Sequence, residues 1–202
     1  MIKEVIYNIL RVILFPYVVT YYLSNNKHLI DEDVAMMDKK IINRRGGKSF
    51  SGSLSLIYHL WKNKYYRNIF KMRVGKIPSI FLFILPEEKT FIPCQKMGGG
   101  CYPAHPFATI LNAKSIGKNF SFRNNTTIGN KIDGPGGINI PKIGDNVTLG
   151  ANVCIIGNIT IGNNVTIGAG SVVVKDVPDN AVVVGNPGRI IKYNMLDSQT
   201  KV

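Results

Sequence analysis

The sequence predicts a β-solenoid, a left-handed parallel β-helix of hexapeptide repeats, behind an N-terminal α-helical region. Ile143, Leu149, Ile155, Ile161, Ile167 and Val173 stand six residues apart without a break. Gly144, Gly150, Gly162 and Gly168 each follow an aliphatic residue, and Asn146, Asn152, Asn158 and Asn164 keep the same beat. An earlier run, Ile110, Ile116, Phe122 and Ile128, has the same period, with Gly117 and Gly129 beside it. Such a period is too short for a helix pair or an ordinary hairpin, and it suits a triangular coil that turns once every three hexapeptides. Each aliphatic residue then points into a narrow core, and Gly or Asn takes a corner, where tight or left-handed backbone costs least. Antiparallel hairpins would show period-two alternation, which the repeat lacks.

Ahead of the repeat the apolar spacing is helical. Ile2, Val5, Ile6, Ile9, Leu10 and Ile13 share one face, with Lys3, Glu4, Asn8 and Arg11 opposite. The uncharged stretch Val12 to Leu23 contains Pro16 and is shorter than the roughly 20 residues that span a bilayer. Thr20-Tyr21-Tyr22-Leu23 is not a signal-peptide cleavage site. Two roles stay open for this segment: lying in a membrane interface, where basic residues meet anionic lipid, or packing on another subunit. Asp31-Glu32-Asp33 predicts a helix start with acids in its first turn, ended by Arg44-Arg45-Gly46-Gly47. Gly46-Gly47-Lys48-Ser49 lacks the spaced glycine of a phosphate loop and reads as a turn. A second helix is expected after Ser51, burying Leu54, Ile57, Tyr58, Trp61, Tyr65 and Ile69, with His59 structural beside that stripe. Ile77 to Leu85 is a short apolar run, read as a strand leading into the second domain. The expected boundaries are 1–85 for the helical region, 86–192 for the β-helix and 193–202 for a tail. Between Ile128 and Ile143 the beat breaks at Lys131 to Gly137, either a substrate loop or a tolerated insertion. Asp133 and Asn139 are its substrate-contact candidates.

The formal charge of +13 favours polyanionic partners, among them a nucleotide cofactor or an acidic membrane surface. Nucleic acid is the weakest of these, because the repeat has no interleaved basic and aromatic pattern and the excess charge lies largely in the helical part. Cys94, Cys101 and Cys154 cannot all pair, and no CxxC or His/Cys spacing suits zinc. Reduced thiols in a cytoplasmic protein without a metal site are expected.

The repeat is followed by Gly168-Ala169-Gly170-Ser171-Val172-Val173, Asp176-Val177-Pro178 and Gly185-Asn186-Pro187-Gly188-Arg189-Ile190-Ile191. With these segments it resembles the hexapeptide acyltransferases over roughly residues 90–192. Within them it is most similar to the serine acetyltransferases and the serine-acetyltransferase-like sugar O-acetyltransferases. The resemblance implies a homotrimer of parallel prisms or a larger assembly, with acetyl-CoA as co-substrate in the groove between neighbouring β-helices. It implies that Gly150, Ala151, Gly168 and Ala169 leave room for the pantetheine arm. Lys175 and Arg189 are the residues placed to neutralise the CoA phosphates.

Ala104-His105-Pro106-Phe107 is similar to the family's catalytic histidine segment, and Pro93, Lys96, Gly98 and Gly100 upstream keep its register. A hydroxyl acceptor must lose its proton as it attacks, and an imidazole near neutral pKa suits that task. His28 lies in a polar connector and His59 in the helical part, which leaves His105 as the candidate base. Thr90 stands where the family has an aspartate that orients the histidine, and Ile140 stands before Pro141 where it has a second histidine. Both departures remove polar groups that would meet a small amino acid. The expected acceptor is therefore a sugar of a surface polysaccharide or its precursor. Serine O-acetylation is the first alternative and a non-catalytic trimeric scaffold the second.

Overall fold

The structure, a computed structural model, describes residues 9–10, 12–45, 52–75, 90–94, 96–130 and 139–194. The expectations for Ile2 to Asn8, for Gly46 to Ser49, for Ile77 to Leu85 and for the insert with Asp133 lie outside the described residues. The chain divides into two compact units, Met1–Lys89 and Thr90–Val202.

The first unit is helical: α1 (Phe15–Leu23), α2 (Lys27–Arg45), α3 (Ser53–Lys62) and α4 (Lys64–Val74). Pro16 sits in the first turn of α1, where its missing N–H breaks no helical hydrogen bond. Contrary to expectation, α2 begins at Lys27, a turn before the acidic triplet. Those carboxylates serve other partners. Asp31 accepts from the Tyr21 hydroxyl at 2.6 Å and from Lys27 Nζ at 2.7 Å. Asp33 is buried against the Arg73 guanidinium, at 3.1 Å to Nε and 3.2 Å to Nη2.

The expected second helix is two helices. Asn63 interrupts it, and the Asn63 side chain caps α4 by accepting from Tyr65 N and Tyr66 N, each at 3.1 Å. The break changes which residues face inward. Ile57 and Ile69 are buried as expected, but Trp61 is 40% exposed, and Leu56, Leu60, Tyr66 and Phe70 fill the core instead. His59 is buried and structural in its contacts. Its Nε2 lies 2.8 Å from Asp38 Oδ1, and the Ser55 hydroxyl donates to Asp38 Oδ2 at 2.7 Å. Burial pushes the His59 imidazole below its ordinary value, against the opposing pull of Asp38.

The second unit is a left-handed parallel β-helix, with five coils and three faces among the described residues. Phe91, Met97 and β1 (Tyr102–Ala104) form the first coil, and β2 (Ile110–Leu111), β3 (Ser115–Ile116) and β4 (Ser121–Arg123) the second. The third holds β5 (Thr127–Gly129), β6 (Lys142–Ile143) and β7 (Thr148–Leu149). The fourth holds β8 (Cys154–Ile156), β9 (Thr160–Ile161) and β10 (Thr166–Ile167). The fifth holds β11 (Val172–Val173), a bridge from Val177 to Ile161, and β12 (Ala181–Val184); β13 (Arg189–Tyr193) then folds back antiparallel on β12. Strands of successive coils pair in parallel, giving face A (β2, β5, β8, β11), face B (β3, β6, β9) and face C (β1, β4, β7, β10, β12), with β13 added antiparallel at the end of face C.

Ile143, Leu149, Ile155, Ile161, Ile167 and Val173 are all buried in the prism, as the beat required. Ile110 is a correction. It is 42% exposed, and Leu111 points inward in its place, stacked on Ile128. Five residues, not six, separate Leu111 from Ile116, so the count slips at the corner between them. Asparagine and glycine divide the corner work. Asn119, Asn125, Asn146, Asn152, Asn164 and Asn180 carry positive φ, and at the corner next to Asn158 it is Gly157 that does so, at φ +110°. Gly150 has an ordinary φ but no space: a Cβ there would lie 2.5 Å from Ala169 N on the coil above. The asparagine side chains also stack. Asn119 Nδ2 donates to Asn146 Oδ1, Asn146 to Asn164 and Asn164 to Asn180, at 2.8, 2.9 and 3.0 Å.

Candidate active site

His105 follows β1, where the chain turns from face C to face A. Its φ is +55°, and its carbonyl accepts from Phe107 N at 3.0 Å, so the turn is tight and the side chain is exposed at the edge of the prism. The supports of this turn come from neighbouring segments. Thr109 Oγ1 lies 3.2 Å from Phe107 O and 3.3 Å from Arg123 O, and Asn125 N donates to Phe107 O at 3.0 Å. Thr90 is buried, and its hydroxyl donates to Pro106 O at 3.4 Å. Thr90 thus anchors the backbone beside His105, a contact that its reading as a missing aspartate did not foresee.

The same edge carries four further sequence candidates. Ala104 pairs with Arg123 and Ser121 with Thr148, and Leu149 pairs with Ile167. This register stacks His105, the Arg123 to Asn125 corner, Gly150-Ala151 and Gly168-Ala169 in successive coils. Each step is about 4.8 Å, so His105 and Ala169 are about 14 Å apart along the edge. Glycine at 150 and 168 has a structural cause of its own, since a Cβ on Gly168 would lie 2.8 Å from Val184 Cγ1.

Lys175 and Arg189 come together elsewhere. They line one groove of about 530 Å³ at the C-terminal end of the prism, with Val173, Val177, Val183 and Ile190. Asp176 also lines it, but its carboxylate accepts from Thr160 N at 2.8 Å. Gly188 closes one side by donating to Val172 O at 2.7 Å, and its missing Cβ avoids that same oxygen. Two exposed cations above an apolar floor form a chemically apt seat for an anionic ligand with an apolar arm. The Val floor was legible in the sequence only as core. The hairpin that turns Arg189 back over it is tertiary.

Asn139 is half-buried, in the third-coil corner between faces A and B, the same edge on which Lys175 stands two coils later. Within one chain the structure does not bring Asn139 to the edge that carries His105. Among the described residues no group of three His, Cys, Asp or Glu is placed to hold a metal ion. Cys94 and Cys101 are buried, Cys154 is half-buried, and none of the three is in a disulfide.

The coil geometry and corner chemistry define a protein of the hexapeptide-repeat β-helix class. A family model described as Bacterial transferase hexapeptide (six repeats) matches residues 140–175. Serine acetyltransferase 3, mitochondrial, of Arabidopsis thaliana is 47% identical over 105 residues, 50% of this chain and 26% of the plant protein. WcaB of Escherichia coli strain K12, named as a colanic acid biosynthesis acetyltransferase, is 51% identical over 87 residues, 43% of this chain and 52% of WcaB. The chain therefore spans about half, or less, of these relatives. The crystal structure of Neisseria gonorrhoeae serine acetyltransferase in complex with serine aligns at TM-score 0.62 and 29% identity, covering 83% of this chain and 69% of that one. The same Neisseria enzyme in another crystal aligns at TM-score 0.64 and 27% identity, covering 88% and 72%. The chain is thus similar to the hexapeptide-repeat acyltransferases, in their serine-acetyltransferase-like branch.

Proposed function

We propose that this chain is an acetyl-CoA-dependent O-acetyltransferase, working as a homotrimer or larger, with His105 as the base that takes the proton of the acceptor hydroxyl. The observation that carries the reading is the register that stacks His105 on the same edge as Gly150-Ala151 and Gly168-Ala169. Acetyl-CoA supplies the activated acyl group. Lys175 and Arg189, lining one groove, are the residues that hold its phosphates. An exposed imidazole at the prism edge is open to an incoming hydroxyl, and Thr90 holds the His105-Pro106 turn in place through Pro106 O. Asn139, half-buried on the neighbouring edge of face A, and Asp133 in the insert are proposed acceptor contacts. In a trimer Asn139 would be supplied across a subunit boundary.

Serine is the acceptor that the comparisons favour. Two crystal structures of the Neisseria serine acetyltransferase cover most of this chain, one of them in complex with serine. A sugar hydroxyl is the second reading, and one observation favours it. Thr90 is buried and bonded to a backbone carbonyl, so it offers no carboxylate to an amino-acid acceptor or to the His105 ring. The 51% identity to WcaB points the same way.

The test is CoA release from acetyl-CoA by the full chain with L-serine, free sugars, nucleotide sugars and a polysaccharide as acceptors. One acceptor class should turn over well. His105→Ala should then lower kcat by about 100-fold or more while assembly size and CoA binding persist. Near-full activity in that variant would remove His105 from the chemistry.

A further inference from the structure

The helical segment through α1 exposes an apolar face that the proposed chemistry does not use. Val12, Phe15, Val19, Tyr22 and Leu23 follow one another at helical spacing on the water side, with exposures of 76% at Val12, 63% at Phe15, 61% at Tyr22 and 73% at Leu23. Ile9 and Ile13 flank the stripe and are exposed too. The opposite side, Leu14, Tyr17, Thr20 and Tyr21, is buried in the helical unit. No charged residue occurs from Val12 to Leu23. The helix thus turns its apolar residues to both sides, and a water-facing apolar stripe of this length marks a contact surface.

We propose that this face is a docking surface for anionic lipid, on which the helical unit lies in the plane of the headgroups. The twelve uncharged residues from Val12 to Leu23 rise about 18 Å as a helix, against about 30 Å of hydrocarbon. Among the described residues no helix is long and apolar enough to cross a membrane. Charge decides between a lipid surface and a second copy of the chain. The unit Met1–Lys89 carries fifteen Lys and Arg against seven Asp and Glu. Two copies joined through this unit bring like charge together, whereas an anionic surface neutralises it. The stripe also lacks the polar members that supply hydrogen bonds in protein interfaces, and its one hydroxyl belongs to Tyr22, a ring suited to the headgroup boundary.

The test is sedimentation of the full chain with phosphatidylcholine vesicles, with and without phosphatidylglycerol, over a range of salt. Binding is expected to the anionic vesicles and to weaken as salt rises. A V12S/F15S variant, which leaves the net charge unchanged, should bind those vesicles about ten-fold or more weakly. Its assembly size by analytical ultracentrifugation should equal that of the unmodified chain. Three results would overturn the proposal: no binding of the unmodified chain to anionic vesicles at low salt, unchanged binding by V12S/F15S, or a smaller assembly in V12S/F15S. The last would make the face a protein contact.

Discussion

Replacing Asn164 separates the two reasons for an asparagine at a coil corner. Asn164 has φ +57°, accepts from Asn146 Nδ2 at 2.9 Å and donates to Asn180 Oδ1 at 3.0 Å. Asn164→Ala loses both hydrogen bonds, at about 0.5–1 kcal/mol each where water reaches them. It also holds a Cβ-bearing residue in the left-handed region, at about 1–2 kcal/mol. The total is about 3 kcal/mol. Asn164→Gly loses the same hydrogen bonds and accepts the positive φ freely, but adds about 0.5–1 kcal/mol of chain entropy. Asn164→Gly should therefore destabilise by about 2 kcal/mol, less than alanine does. Urea unfolding followed by circular dichroism, at one protein concentration, measures both midpoints. Equal midpoints for the two variants would remove the backbone argument. A wild-type midpoint in both would remove the ladder as well.

Ile161→Asp should leave the β-helix unfolded or insoluble, because Ile161 is buried between Ile143 and Val177 and the charge finds no partner there; circular dichroism of the purified chain reads this. Lys175→Ala with Arg189→Ala should raise the KM for acetyl-CoA about ten-fold or more, with a smaller change in kcat, and unchanged CoA affinity would place the cofactor outside their groove. The helical unit should lose stability under mild acid. Burial holds the His59 pKa below its ordinary 6.5, so the unfolded chain takes up the proton first as pH falls. Stability from this group is complete above about 6.5 and declines as pH drops from there toward the lower folded value. His59→Gln should flatten that slope in thermal melts between pH 7 and 5, and an unchanged slope would assign it to other groups.

Much of the β-helix is determined by residue type alone, because a six-residue period of aliphatic side chains has few ways to bury itself. Ile143 through Val173 needed no tertiary information to be assigned inward, and the positive φ at Asn146, Asn152 and Asn164 follows from the one side chain besides glycine that tolerates it well. Where the count slips, local pattern misleads. Ile110 and Leu111 are equally apolar, and only the stacking of Leu111 on Ile128 selects which one turns inward. The helical unit was less legible for a related reason. Its acids looked like helix-start signals, yet Asp33 is held by Arg73, forty residues away in the chain, and periodicity carries no trace of such a pairing. Asn63 likewise splits what reads as one amphipathic stripe, and Trp61 becomes exposed. Sequence likewise singled out His105, Lys175 and Arg189 one at a time. Only the coil register stacks His105 on one edge with Gly150 and Gly168, and only the β12–β13 hairpin carries Arg189 back to Lys175, since both depend on contacts between residues far apart in the chain.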